Sequence, residues 1–260
     1  MLQIGGFARS SWSEFGRWNI LIFPHGDSQV ADQFELEVLA RMPNYYDWIM
    51  ETFAPFVCGH VVEYGAGLGT ISQLLAPLAQ QLTLVEPSTN LAASLRTKFR
   101  DEPKVLVDED SLEQHAARIS AATVDTIVMV NVLEHIADDR QALAYLFSIL
   151  RPGGCILTFV PALQKLMSKI DLKFGHFRRY SRTELADKIG AAGGDVQLCR
   201  YFDFFGVLPW LFLNKLMGAT TFNPHFVHLH DKFVVPISRS VERVIPPPIG
   251  KNLILVARKR

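Results

Sequence analysis

The chain has 260 residues, 49% of them hydrophobic, with 26 basic and 26 acidic side chains and a mean hydropathy of +0.15. The zero net charge conceals a division: residues 1–150 hold nine basic and nineteen acidic side chains, and residues 151–260 hold seventeen and seven. That pattern excludes a uniformly basic nucleic-acid binder and an acidic disordered chain, and the length admits one large domain with an added segment.

Residues 1–43 show no clear hydrophobic period and read as an N-terminal cap segment. The opening MLQIGGFARSSW has no basic stretch followed by an apolar one, so no secretory leader is expected. The spacing of Tyr45, Trp48, Ile49 and Phe53 predicts a helix over 44–56. An alternation follows. Strands are predicted at 60–64, 82–86, 104–107, 124–131 and 155–160, with helices at 70–78, 88–99, 112–120 and 138–150 between them. This rhythm predicts a parallel, doubly wound α/β sheet whose ligands bind beyond the carboxyl ends of the strands. Beyond it come a basic aromatic connection, a helix over 181–192 capped by Ser181, a strand at 196–202, an insertion over 203–250 rich in Phe, Pro and His, and a last strand at 252–259. Cys58, Cys155 and Cys199 form no CxxC pair and read as small buried residues of a chain in a reducing cytoplasm. The longest apolar run, 204–213, is too short to span a bilayer.

The sharpest motif is Glu63-Tyr64-Gly65-Ala66-Gly67-Leu68-Gly69-Thr70, in which a strand ends in an acid and turns through three alternate glycines into a helix. A dinucleotide site needs its third glycine three positions after the second, and here Thr70 stands there. Glu63 would also repel a pyrophosphate and suits a cationic ligand. Glu86 ends the second strand, where a carboxylate can accept both ribose hydroxyls. Asp110 follows the third strand, where it can accept from an adenine amino group. Asn131 ends the fourth.

On EYGAGLG, Glu86, Asn131–Ile136 (NVLEHI) and Leu150–Gly154 (LRPGG), the chain resembles the class I S-adenosylmethionine-dependent methyltransferases over about residues 44–202 and again in the last strand. It is similar in particular to a bacterial subgroup acting on small molecules or glycolipids, through Tyr45-Tyr46-Asp47-Trp48, Gly175–Ser181 (GHFRRYS) and Pro248–Lys259. The resemblance implies a Rossmann-like sheet of seven strands, mostly parallel, with the last antiparallel. It places S-adenosylmethionine as cofactor, held by Glu63, Gly65, Ala66 and Gly67 at its methionyl part, by Glu86 and Pro87 at the ribose, and by Asp110 and Ser111 at the adenine. The backbone of Asn131 and Val132 would line the sulfonium, with Tyr46 and Trp48 joining from the aromatic segment.

For the acceptor end, His176, His135 and Tyr180 are the candidate catalytic groups, as base or acceptor contact, and Arg178 and Arg179 are the candidate binders of an anionic acceptor. No metal is expected: His225, His228 and His230 have no acidic or cysteine companion at ligand spacing. The 203–250 aromatics read as a lid core, an apolar acceptor pocket or a segment lying on a membrane. The expected reaction is therefore methyl transfer to an oxygen or nitrogen of a small-molecule or lipid- or sugar-linked acceptor. No nucleic-acid partner is expected, and 203–230 is the segment for peripheral contact with the inner membrane. Two rival readings are an NAD(P)-dependent oxidoreductase, disfavoured by the glycine spacing, and a membrane-associated binding module without catalysis, disfavoured by the intact acids and glycines.

Overall fold

The computed structural model describes the backbone of residues 28–260 and side chains from Phe34 onward. Most of the N-terminal segment expected as a cap, 1–27, therefore lies outside the described residues.

Seven strands form one sheet: β1 (His60–Tyr64), β2 (Gln81–Val85), β3 (Val105–Asp108), β4 (Val124–Val130), β5 (Leu150–Pro161), β6 (Gly194–Phe202) and β7 (Asn252–Lys259). Their order is β3-β2-β1-β4-β5-β7-β6. β7 runs antiparallel to both neighbours, β5 and β6, and the other recorded pairings are parallel. The chain winds outward from β1 to β3 and returns to place β4 beside β1. The ends of β1 and β4 thus flank the topological switch point, where such sheets open a crevice.

The helices are α1 (Ser28–Ala40), α2 (Pro43–Phe53), α3 (Thr70–Leu75), α4 (Thr89–Lys98), α5 (Leu112–Arg118), α6 (Asp139–Ile149), α7 (Lys169–Lys173) and α8 (Arg182–Ala191). The 203–250 segment adds α9 (Val207–Pro209), α10 (Pro224–Leu229) and α11 (Val235–Val244), with π-helical turns over Trp210–Leu216 and His230–Val234. Alternation along the strands sends Val61 and Val128 to one face, with Trp48, Phe53, Leu75 and Phe202. Val62, Ile127 and Met129 go to the other, with Leu143, Leu146, Tyr180 and Leu185. Both faces are covered, which is why β4 reads as a nearly continuous apolar run.

Helix α1 shows no clear apolar period because its inward face is broken by an acid. Glu35 is 1% exposed; it accepts the Phe222 N–H at 2.8 Å and pairs with Lys173 at 3.4 Å. Cys155 is buried as expected, but Cys58 is exposed, because it lies in the loop ahead of β1 rather than in the strand. The 203–250 aromatics divide. Phe202, just before the segment, is core; Trp210 reaches the central cavity; Leu208, Phe212, Leu216, Phe226 and Phe233 are exposed. The segment is anchored by Asp231, whose carboxylate accepts from Tyr45 N at 2.9 Å and Asn44 Nδ2 at 3.0 Å, capping α2 where Met42 offers no side-chain cap. Among the described residues, no helix is long and apolar enough to cross a membrane.

Candidate functional site

A cavity of about 260 Å³ opens at the switch point. Its floor is the turn after β1. Gly65 (φ 68°) and Gly67 (φ 55°) both hold left-handed backbone, and Gly65 N–H donates to Val85 O at 2.8 Å. The two glycines are needed for different reasons. A Cβ on Gly65 would stand 2.6 Å from Val132 Cγ2, so the turn must be bare to pass under the β4 loop. A Cβ on Gly67 would meet nothing closer than 3.9 Å; this is open cradle, constrained by backbone conformation alone.

Two buried acids face this cradle. Glu63 is 3% exposed and accepts the Ser72 hydroxyl at 2.6 Å. Burial pushes its carboxyl up to about 8, with the Ser72 hydrogen bond opposing and the nearby Glu86 charge adding to the rise. Glu86 is 2% exposed, and burial raises it too, against the N–H groups of Ser88 (3.0 Å) and Gly67 (2.9 Å) that it accepts. Lys98, whose charge acts on Glu63, donates from Nζ to Leu68 O at 2.7 Å. These acceptors therefore fit a cationic, hydroxyl-bearing ligand and do not fit a pyrophosphate.

Most of the expected cofactor residues converge here. Tyr46, Ala66, Pro87, Asn131 and Val132 line the cavity with Glu63, Gly65, Gly67 and Glu86. Asn131 holds a positive φ of 54° and donates its N–H to Phe159 O at 2.8 Å, which turns the chain after β4 toward the site. Asp110 and Ser111 do not line it. Asp110 is paired with Arg118 at 2.6 Å, and Ser111 caps α5 in a reciprocal box with Gln114. A small second hollow shares Gly65, Pro87 and Val132 with the cavity and adds Leu112, next to Ser111. Trp48 departs from expectation. It is 2% exposed and stacks on Phe202 at 3.7 Å, because its position on α2 faces the sheet.

At the other end of the cavity stand His135 and His176, with ring centroids 4.6 Å apart and planes at 89°. His176 Nδ1 lies 3.0 Å from Asp171 Oδ1. Burial would raise the Asp171 carboxyl, but His176 and Arg179 more than offset it and hold it at about 2. Asp171 is thus an acceptor only, and His176 directs its Nδ1–H at it, so that Nε2 is the ring nitrogen left for other partners. Burial, aided by His176, lowers His135 to about 3, so its ring is neutral.

Three expected site residues serve the fold instead. Tyr180 is fully buried, and its hydroxyl donates to Asp139 Oδ2 at 2.8 Å and lies 3.2 Å from Leu133 O. Arg178 pairs with Asp139 at 2.7 Å and donates to Ala137 O at 2.6 Å. Arg179 lines the cavity but is already engaged by Asp171, through Nε at 2.9 Å and Nη2 at 2.8 Å, and stacks on Trp210. The sequence reading did not assign Asp171 or Glu134. Ser168-x-x-Asp171 is a capping-box pattern that could have marked the first, and Glu134 stands beside His135 in NVLEHI.

A family model described as "Methyltransferase domain" matches residues 62–156, from β1 into β5. A probable S-adenosylmethionine-dependent methyltransferase of Mycolicibacterium smegmatis is 27% identical over 139 residues, 53% of this chain and 52% of that protein. The chain spans about half the length of the curated relatives it matches. Among solved structures, a Thermotoga maritima S-adenosylmethionine-dependent methyltransferase, described as a "possible histamine N-methyltransferase", superposes with a TM-score of 0.60 at 18% identity, covering 94% of this chain and 99% of that one. The [4+2]-cyclase SpnF superposes with a TM-score of 0.58 at 17% identity, covering 84% and 80%. These superpositions show the fold, and a fold hosts more than one chemistry.

Proposed function

We propose that this chain acts as a class I S-adenosylmethionine-dependent methyltransferase and moves a methyl group to an oxygen or nitrogen of a small or lipid-linked acceptor. The observation that carries this reading is the pair of buried carboxylates, Glu63 and Glu86, on either side of the open Gly67 cradle. Glu63 would take the ammonium of the methionyl part and Glu86 the ribose hydroxyls. The hollow between Pro87, Leu112 and Val132 has the apolar walls an adenine needs. The bound cofactor supplies a methyl already activated by a sulfonium.

What remains for the protein is alignment and proton removal. In the displacement, the acceptor lone pair forms the new bond to carbon as the C–S bond breaks with its electron pair on sulfur. His176, held through Nδ1 by Asp171 and lining the cavity, is the residue we assign to take the acceptor's proton, through Nε2. Calorimetry with S-adenosylhomocysteine tests the reading: micromolar binding is expected, and no binding at high micromolar concentration would sink it. Fluorescence titration with NADH separates it from a nicotinamide enzyme.

The acceptor wall favours an apolar body. Phe174, Trp210 and Phe222 close the His176 end, and Leu36 and Leu39 come from α1. The two arginines expected for an anionic acceptor are both neutralised internally, so they give little support to that variant. The exposed Leu208, Phe212, Leu216 and Phe226 lie in the segment that carries Trp210, interspersed with Lys215 and Lys232. This supports peripheral membrane contact by an enzyme whose acceptor is lipid-linked. Flotation with liposomes of anionic phospholipid tests it; absence from the lipid fraction would count against it.

A further inference from the structure

The acceptor end of the cavity carries a feature that methyl transfer alone does not explain. Glu134, in the turn after β4, is 0% exposed, and neither of its carboxylate oxygens has a hydrogen-bond partner. His135 Nδ1, one residue on, is likewise shielded from solvent and without a partner. Buried polar atoms are nearly always satisfied, so unsatisfied atoms in two adjacent residues call for a missing partner. A divalent cation binds a carboxylate and an imidazole lone pair at once, and so would satisfy both.

One donor atom each from Glu134, His135 and His176 lies within 4.8 Å of the others. We infer that these three side chains form a divalent-cation site. Two imidazoles and one carboxylate suit a first-row transition cation such as Zn²⁺, Mn²⁺ or Co²⁺ better than Mg²⁺ or Ca²⁺. Donors around such an ion stand roughly 3.4 Å apart for bonds of about 2.1 Å, so the three side chains draw together as it enters. The surroundings suit the ion as well. Asp171 fixes the His176 ring from behind, as outer carboxylates do for metal-ligating histidines. Arg179, the neighbouring cation, is already paired with Asp171.

Three protein ligands leave at least one position open, and His135 and His176 both line the cavity. The open position therefore faces the acceptor end. The lone pair that would make His176 a base would instead bind the cation. An acceptor hydroxyl oxygen would complete the coordination, losing its proton to solvent on binding. This last step rests on the methyl-transfer reading and narrows it to an oxygen acceptor; the cation site itself does not depend on it.

The test uses the full chain without an affinity tag, stripped with EDTA and titrated with CoCl₂ while visible absorption is followed. One saturable Co²⁺ per chain, displaced by Zn²⁺, is expected. Glu134→Gln and His176→Asn should each weaken it by about tenfold or more, with S-adenosylhomocysteine affinity unchanged. If Glu134→Gln fails to fold, His176→Asn, at the cavity wall, decides alone. No saturable Co²⁺ binding, or equal binding by the folded variants, overturns the site. Retained Co²⁺ binding without any S-adenosylhomocysteine binding would uphold the site and overturn the methyltransferase reading instead.

Discussion

Gly67 donates its backbone N–H to Glu86 Oε2 at 2.9 Å. The acid at the end of β2 and the turn at the end of β1 therefore hold each other, while the second oxygen of Glu86 takes Ser88 N–H at 3.0 Å. Glu86 is a brace of the cradle as well as a candidate ribose contact. Glu86→Ala should remove both roles. Hydrogen bonds to a charged group are worth about 1.5–3 kcal/mol, so S-adenosylhomocysteine affinity by calorimetry is expected to fall about 10- to 100-fold. An unchanged affinity would remove Glu86 from the site.

The role proposed for Glu63 makes cofactor binding depend on pH. Its carboxyl sits at about 8, chiefly through burial, against about 4.3 in an unfolded chain. A folded value above the unfolded one stabilises the ligand-free protein fully below about pH 4, and that contribution is lost as pH rises through 8. Binding an ammonium needs the ionised form and follows the opposite course. Affinity for S-adenosylhomocysteine should rise from about pH 6 to about pH 8, approaching tenfold per unit, then level off, with protons released to the buffer. Calorimetry in buffers of different ionisation enthalpy measures that release. Glu63→Gln should flatten the profile, and a flat profile in the parent protein would contradict the assignment.

The two cradle glycines should respond differently to the same substitution. Gly67→Ala meets open space and costs only left-handed strain, about 1–2 kcal/mol. Gly65→Ala adds a collision with Val132 Cγ2 at 2.6 Å, which the stiff Val132 side chain must move to relieve. The Gly65 variant is expected to show the lower thermal midpoint and the greater loss of S-adenosylhomocysteine affinity. Equal effects would mean that the Val132 contact yields freely.

The convergence of Glu63, Glu86 and Asn131 on one cavity was readable from sequence because its parts are local. Glu63, Glu86 and Asn131 each end a strand, and strand ends at a switch point converge by topology alone. The acceptor side is assembled from Glu134, Asp171, His176, Trp210 and Phe222, which no period brings together. Sequence placed Arg178 and Tyr180 in one connection but could not see that Asp139, at the start of α6, would claim both. Helix α1 was hidden for a related reason: the residue that breaks its apolar period, Glu35, is satisfied only by Phe222 and Lys173 from distant segments.

The 203–250 segment should be coupled to the core through α2. Asp231 supplies the cap that α2 lacks from its own sequence. Asp231→Ala is expected to cost about 1 kcal/mol, within the 0.5–2 kcal/mol range of lost caps. It should also raise proteolytic sensitivity within 203–250 before the core yields. Limited proteolysis with mass spectrometry checks this; cleavage no faster than in the parent would show that the segment is held elsewhere.

Tyr180 gives the clearest separation of a structural from a catalytic role. Its hydroxyl is buried against Asp139 and Leu133 O and does not reach the cavity, and burial together with the Asp139 charge raises it far above the ordinary tyrosine range. It is therefore protonated throughout the working range and cannot act as a base. Tyr180→Phe removes one donor from Asp139, which keeps Arg178 and Lys188. The expected loss is about 1–3 kcal/mol of stability in urea unfolding, with S-adenosylhomocysteine affinity unchanged. Once an acceptor is in hand, turnover at a temperature where the variant is folded should also match the parent. A large fall in turnover with unaltered stability would restore the catalytic role that its place after β5 suggested.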